Sequence, residues 1–243
     1  MRIVIAPDKF KGSLPATKVA AAIAAGLRAG FDAKAELITV PVADGGEGTV
    51  DAAVAAGFER VPVTAAGPLG PASVPVPASY PRRGEVAVVE LACVCGLARL
   101  PGGRPAPLAA SSFGVGEVLR AVLGAESRPG IGLVLDLAGF DMALAGADLV
   151  ITGEGSLDTQ SLAGKAPVGV ARAAARIGIP AVAVAGRSTL TEGQLAAAGI
   201  AAVYPLSDLE PDLERCRAEA GPLLRRVGQM IARDRPAEAV TRL

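Results

Sequence analysis

Four carboxylates and a lysine stand in two glycine-punctuated segments, each entered from an apolar run. The first segment is Pro41-Val42-Ala43-Asp44-Gly45-Gly46-Glu47-Gly48-Thr49. The second runs from Thr152-Gly153-Glu154-Gly155-Ser156-Leu157-Asp158-Thr159-Gln160 to Gly164-Lys165-Ala166-Pro167. Glycines let backbone amides come close to a ligand. Asp44, Glu47, Glu154 and Asp158 can hold a divalent cation or fix a substrate hydroxyl. Lys165 immediately precedes a helix that Pro167 helps to start, and a helix N-terminus attracts anions. This inventory suits a metal-bound polyphosphate beside a small anionic substrate.

Each residue also has a plainer reading. The Asp44 segment can be a strand-to-helix turn in which Glu47 favours the helix N-terminus. The Asp158 segment can be a surface loop with an Asx turn, and Lys165 a solvated lysine. On the chemical reading, Asp158 is a base for a hydroxyl or, with Glu154, a metal ligand. Gln160 hydrogen-bonds a carboxylate or phosphate, with Gly153 and Gly155 offering amides. Lys9 and Lys11, two residues apart after an apolar run, can face one anion, such as a carboxylate or a phosphate. Ser13 either joins them or caps a helix. Arg187 and Ser188 are weaker candidates for anion contacts. Ser111 and Ser112 read as helix caps.

Most other chemistry is closed. The 243 residues include no histidine, which excludes Ser-His-Asp and Cys-His catalysis. Three cysteines form no disulfide framework, and Cys93 and Cys95 are spaced too closely for a zinc Cys-x-x-Cys pair. They read as small buried strand residues. Gly164-Lys165 lacks a glycine five residues earlier, so it is no Walker A loop, and no G-x-G-x-x-G opens a helix. Twenty-four basic and 24 acidic residues balance, leaving no footprint for nucleic acid. No apolar run approaches a membrane span, and the chain starts directly with a strand pattern. These features point to a soluble cytoplasmic protein without nucleic-acid or membrane partners; a homodimer is left open.

The elements that must place these residues follow from periodicity. Ile3–Ala6, Leu37–Val42, Asp148–Ile151, Ala181–Ala185 and Ala201–Tyr204 read as strands. Helices are expected from Pro15 to about Arg28, Thr49 to Ala56, Ala166 to Ile177, Thr191 to Ala198 and Asp212 to Arg233. The last is amphipathic, with a charged, solvated face. Ser111 or Ser112 caps a helix that covers 116–123, after an irregular loop at 101–107. Between Arg60 and Leu91, Pro and Gly punctuate short Val runs, which reads as antiparallel hairpins. With aromatics at 3%, the core must be Ala, Val, Leu and Ile. The alternation predicts an α/β fold: a mostly parallel sheet with helices on both faces, plus a smaller, β-rich inserted second domain. The expected boundaries are 1–60 with 124–243 for the main domain, and 61–123 for the truncated insert.

The two acidic segments, together with Ala6-Pro7-Asp8-Lys9-Phe10-Lys11-Gly12-Ser13-Leu14, closely resemble the bacterial glycerate kinase family. The resemblance runs to about Val122 and resumes near Gly124. It implies two α/β domains, the second inserted into the first. It implies phosphorylation of D-glycerate by ATP with Mg²⁺, usually to 2-phosphoglycerate. On that reading Asp44, Asp158, Lys9 and Lys11 are catalytic. Ser13, Gly45, Gly46, Glu47, Gly153, Gly155, Gln160, Lys165 and Arg187 bind substrate or phosphate, and Glu154 and Asp158 meet the metal. The chain departs from the family by lacking a Gly-Gly-Ser-Ala-Thr stretch and the later Asp-Gly-Gly element of the inserted domain. It reads as if a segment were missing between Leu123 and Gly124. A non-catalytic α/β ligand-binding or oligomerisation module is the alternative reading.

Overall fold

The chain's computed structural model describes residues 1–31, 35–65, 75–90 and 130–234. Five strands form one sheet: β1 (Arg2–Pro7), β2 (Glu36–Thr39), β6 (Leu149–Leu157), β7 (Ala181–Ser188) and β8 (Ile200–Pro205). Their order is β2-β1-β6-β7-β8, and every neighbouring pair is parallel. A second, antiparallel sheet comprises β3 (Glu59–Ala65), β4 (Val76–Arg83) and β5 (Val86–Ala87). Residues 60–91 were expected to form hairpins, and the described part of that range does.

Alternation along the strands divides the core in two. Val4, Ala6, Val150, Ala183 and Ala185 face α3 (Gly130–Leu137), α4 (Phe140–Leu144), α5 (Ala166–Ala175) and α6 (Glu192–Ala197). Ile3, Ile5, Leu149, Ile151, Val182 and Val184 face α1 (Ala16–Gly30), α7 (Leu213–Ala218) and α8 (Ala220–Asp234). The remaining helix, α2 (Thr49–Ala55), follows the Asp44 segment. Among the described residues, no helix is long and apolar enough to cross a membrane.

Several details differ from expectation. Ser13 does not cap α1; Pro15 holds the cap position without a side-chain bond, and Ser13 Oγ donates to the Arg217 carbonyl at 2.7 Å. The C-terminal helix is two helices, with Asp212 capping the first through the Glu214 and Arg215 amides. β2 ends at Thr39, although the amides of Val40 and Val42 still bond to the carbonyls of Ile5 and Pro7. α3 and α4 were not anticipated. Cys93, Cys95, the loop at 101–107, Ser111, Ser112 and the helix expected over 116–123 lie outside the described residues.

The largest correction concerns Thr152–Leu157. Its polar, glycine-rich texture predicts a loop, yet β6 continues through it. Pro7 pairs with Gly153 on one side, and Glu154, Ser156 and Leu157 pair with Ala185, Arg187 and Ser188 on the other. Main-chain bonds hold the strand, so its side chains need not be apolar. The glycine serves close approach: a Cβ on Gly153 would collide with the Val184 carbonyl.

α1 and α8 cross backbone to backbone at Gly26 and Gly228. A Cβ at Gly26 would meet the Arg225 carbonyl, and one at Gly228 the Ile23 carbonyl. Gly26→Val must separate the two helices and is expected to cost about 1–3 kcal/mol as overpacking. Urea unfolding checks this through a lower midpoint at unchanged slope; an unchanged midpoint would refute the close crossing.

Candidate functional site

In a sheet of this order, the chain leaves β1 toward β2 on one side and later returns to β6 on the other. A crevice therefore opens beyond the carboxyl ends of β1 and β6, where ligands of open α/β sheets bind. A cavity of about 930 Å³ occupies that place. From the end of β1 come Asp8, Lys9 and Lys11; from the segment after β2 come Asp44, Gly46 and Glu47. β6 supplies Glu154, Gly155 and Ser156, and β7 supplies Gly186 and Arg187. Lys165 enters from the N-terminus of α5, and Glu90 from the end of the small sheet. Leu206, Leu213, Cys216 and Ala220 form an apolar wall.

The Asp44 segment is a built turn. Asp44 Oδ1 accepts the Gly46 amide at 3.1 Å, and Thr49 Oγ1 donates to the Gly46 carbonyl at 2.7 Å. Gly45 and Gly48 have φ of 95° and 103°, a region costly for residues with a Cβ. Lys9 Nζ donates to the Glu47 carbonyl, tying the β1 end to this turn.

Glu90 fastens the turn from the other side. The buried Glu90 carboxylate accepts the amides of Gly48 at 3.2 Å and Val50 at 2.9 Å through Oε2. Glu90→Ala strips both amides of this partner and is expected to cost about 1–3 kcal/mol. Glu90→Gln keeps an acceptor and should lose less; equal losses, by thermal or urea unfolding, would contradict this anchoring.

On the β6 side, Glu154 is buried. Its Oε1 accepts the Ser161 hydroxyl, and its Oε2 lies 3.9 Å from Lys165 Nζ. Burial pushes its carboxyl above the ordinary range, opposed by the Ser161 hydrogen bond and the Lys165 charge. Asp8 is equally deep. Burial raises its carboxyl to about 6, against the lowering effect of the Lys9 charge and amide, while the Asp44 charge raises it further. Asp8 Oδ1 accepts the Lys9 amide at 2.6 Å and stands 4.0 Å from Lys9 Nζ.

The cavity gathers Lys9, Lys11, Ser13, Asp44, Gly46, Glu47, Glu154, Gly155, Lys165 and Arg187 from the sequence-based candidates. Gly45, Gly153, Asp158 and Gln160 lie outside its lining. Asp158 instead closes a turn behind Glu154: its carboxylate accepts the Ser156 hydroxyl at 3.3 Å and the Gln160 amide at 2.9 Å. Its own amide donates to Ser161 Oγ at 3.1 Å. Sequence reasoning missed Asp8 and Glu90. Asp8 carried a signal, an acid directly after a buried strand and beside a candidate lysine; Glu90 carried little beyond being a lone acid ending a valine run.

The glycerate kinase family model matches residues 3–123 and 118–235. Glycerate kinase of Bacillus cereus (strain ATCC 10987 / NRS 248) is 39% identical over 120 residues, which cover 49% of this chain and 30% of that protein. Glycerate 2-kinase of Escherichia coli (strain K12) is 44% identical over 125 residues, 51% of this chain and 32% of that protein. The matched part thus spans about a third of the length of these curated relatives. Among solved structures, a Salmonella typhimurium LT2 chain provisionally described as glycerate kinase 2 superposes with a TM-score of 0.71 at 25% identity, covering 100% of both chains. The two stretches matched by the family model overlap at 118–123, beside the Leu123–Gly124 junction.

Proposed function

The chain belongs to the glycerate kinase family, and from that premise we propose that it transfers the γ-phosphoryl group of magnesium-bound ATP to a hydroxyl of D-glycerate. The observation that carries this reading is the convergence of three lysines and several carboxylates on one cavity at the β1/β6 crevice. Phosphoryl transfer asks for positive charge around the phosphates and a group that orients the attacking hydroxyl. Lys9, Lys11 and Lys165 supply the charge, and Arg187 extends it along the β7 edge. Asp44 and Glu47 face the same space and orient the acceptor. Gly46 and Gly155 let the chain pass close to the ligand. Among the described residues, no group of three or more His, Cys, Asp or Glu forms a metal site of its own. In this reading magnesium enters with the nucleotide substrate, and Asp158 and Gln160 serve the turn that supports Glu154.

The Escherichia coli relative is named for phosphorylation at position 2, which favours 2-phosphoglycerate as the product. Residues 1–60 and 124–243 form the main domain in this reading, and 61–123 what the chain has of the inserted one. The shortened insert favours a second reading, a module that binds without catalysis. Calorimetry with a non-hydrolysable ATP analogue and D-glycerate, paired with a coupled assay for ADP release, separates them. Binding with turnover supports the kinase; binding of both ligands without ADP release supports the module.

A further inference from the structure

We propose that Asp8, which lines the cavity at the β1/β6 crevice and leaves Oδ2 without a hydrogen-bond partner among the described residues, is the catalytic residue that takes the proton from the acceptor hydroxyl. The proposal rests on the kinase reading and adds a residue and a step to it.

Geometry separates Asp8 from the other carboxylates of the cavity. Glu154 is engaged at both oxygens, by Ser161 and Lys165. Glu90 also leaves one oxygen, Oε1, without a partner among the described residues, but it reaches the cavity from the small sheet and is committed through Oε2 to the amides of Gly48 and Val50, whereas Asp8 stands at the β1 end of the crevice itself. Asp44 is half-buried and closes its own turn, and Glu47 is exposed. Asp8 is 7% exposed, its Oδ1 is fixed by the Lys9 amide, and Oδ2 has no hydrogen-bond partner among the described residues. Its backbone is pinned as well: the Asp8 amide donates to the Gly153 carbonyl at 2.8 Å, on the strand that carries Glu154. A proton acceptor works best on a rigid element with its geometry set beforehand.

Asp8 Oδ2 accepts the proton of the acceptor hydroxyl as the hydroxyl oxygen forms a bond to the γ-phosphorus. The bond between the γ-phosphorus and the β–γ bridging oxygen breaks, and its electron pair leaves with ADP. The products are ADP, the phosphate ester and a protonated Asp8, which returns its proton to water. Lys9, Lys11 and Lys165 around the cavity favour the charged carboxylate that must begin the cycle; Asp44, Glu47, Glu90 and Glu154 oppose it. Burial dominates, so this carboxyl titrates near 6, within reach of neutral operating pH.

The test compares the 243-residue parent with Asp8→Asn and Asp8→Glu. In Asp8→Asn, kcat should fall about 10²–10⁴-fold, while calorimetric affinities for D-glycerate and for a non-hydrolysable ATP analogue stay close to the parent's. The parent's kcat should rise with pH through an acid limb that Asp8→Asn lacks, and Asp8→Glu should recover part of the rate with the limb restored. Asp8→Asn that keeps the parent's kcat, or keeps the acid limb, overturns the proposal and leaves the kinase reading standing. A parent that binds both ligands and releases no ADP overturns both.

Discussion

Lys165→Met should lower kcat/KM for glycerate phosphorylation by about 10³-fold, because it removes pre-placed positive charge from where the transferring group becomes more negative. The ammonium stands at the N-terminal cap of α5, so it adds to a helix end that already favours anions. It also sits 3.9 Å from Glu154 Oε2. Methionine leaves that buried carboxylate with the Ser161 hydroxyl but without its cation, so Glu154 should shift further upward. Some stability is therefore expected to be lost with the activity. The double variant Lys165→Met, Glu154→Gln separates the two effects: it removes the stranded charge and should recover the urea midpoint without recovering turnover. Lys165→Arg, which keeps the charge but not its shape, should fall between. Recovery of turnover in the double variant would mean that Lys165 acts only by neutralising Glu154.

Asp8→Asn should make the folded chain more stable at neutral pH, by roughly 3 kcal/mol, while impairing it as an enzyme. Burial raises the Asp8 carboxyl from 3.8 to about 6. Between those values the folded chain keeps a proton that the unfolded chain has released. Stability contributed by this group is complete below the unfolded value, falls as pH rises through the window, and stays lost above about 6. The size of the rise corresponds to roughly 3 kcal/mol at pH 7. Asparagine carries no charge to bury, so the variant loses this share of the pH dependence. Glu154, raised for the same reason, leaves a residual slope of the same sign. Urea unfolding at pH 4.5 and 7.5 measures it: parent and variant should differ more at the higher pH. A parent whose stability rises across that interval by more than the variant's would contradict the burial of an unfavourable charge at Asp8.

That a buried carboxylate destabilises the fold yet faces the cavity fits a site selected for chemistry at some cost to stability. The same tension explains what could be read in the sequence. β1, β7 and α5 were legible because apolar period and helix-start signals agree there. The parallel sheet followed from strand–helix alternation, and the hairpins from the Pro- and Val-rich texture of 60–91. Where local signals and function part, the reading failed. Thr152–Leu157 resembles a loop because its side chains serve a cavity, whereas its backbone serves two neighbouring strands. Ser13 has the sequence position of a cap, but its hydroxyl turns to Arg217, a partner 204 residues away. The break at Glu219 left no mark in the amphipathic pattern, since α7 and α8 both present apolar residues to the same side of the sheet.

At the site, lysines and acids beside glycines stood out: Lys9, Asp44, Glu47, Glu154 and Lys165 were all recognisable. Asp158 looked equally good, being an acid two residues from a serine in a polar stretch. Only the fold shows its carboxylate turned to Ser156 and the Gln160 amide. Glu90 reaches α2 from across the small sheet, and Leu206 and Cys216 reach the cavity from the far end of the chain. Tertiary packing alone brings such residues in, and no local pattern announces them.

On the proposed reading, lysines and carboxylates meeting beyond β1 and β6 move a phosphoryl group onto a short hydroxy acid. Phosphorus NMR of the parent chain incubated with D-glycerate and magnesium ATP is the decisive experiment. ADP and a phosphoglycerate ester should appear together in equal amounts, with the ester at position 2. ATP left intact, or converted to ADP and free phosphate with no ester, would contradict that reading.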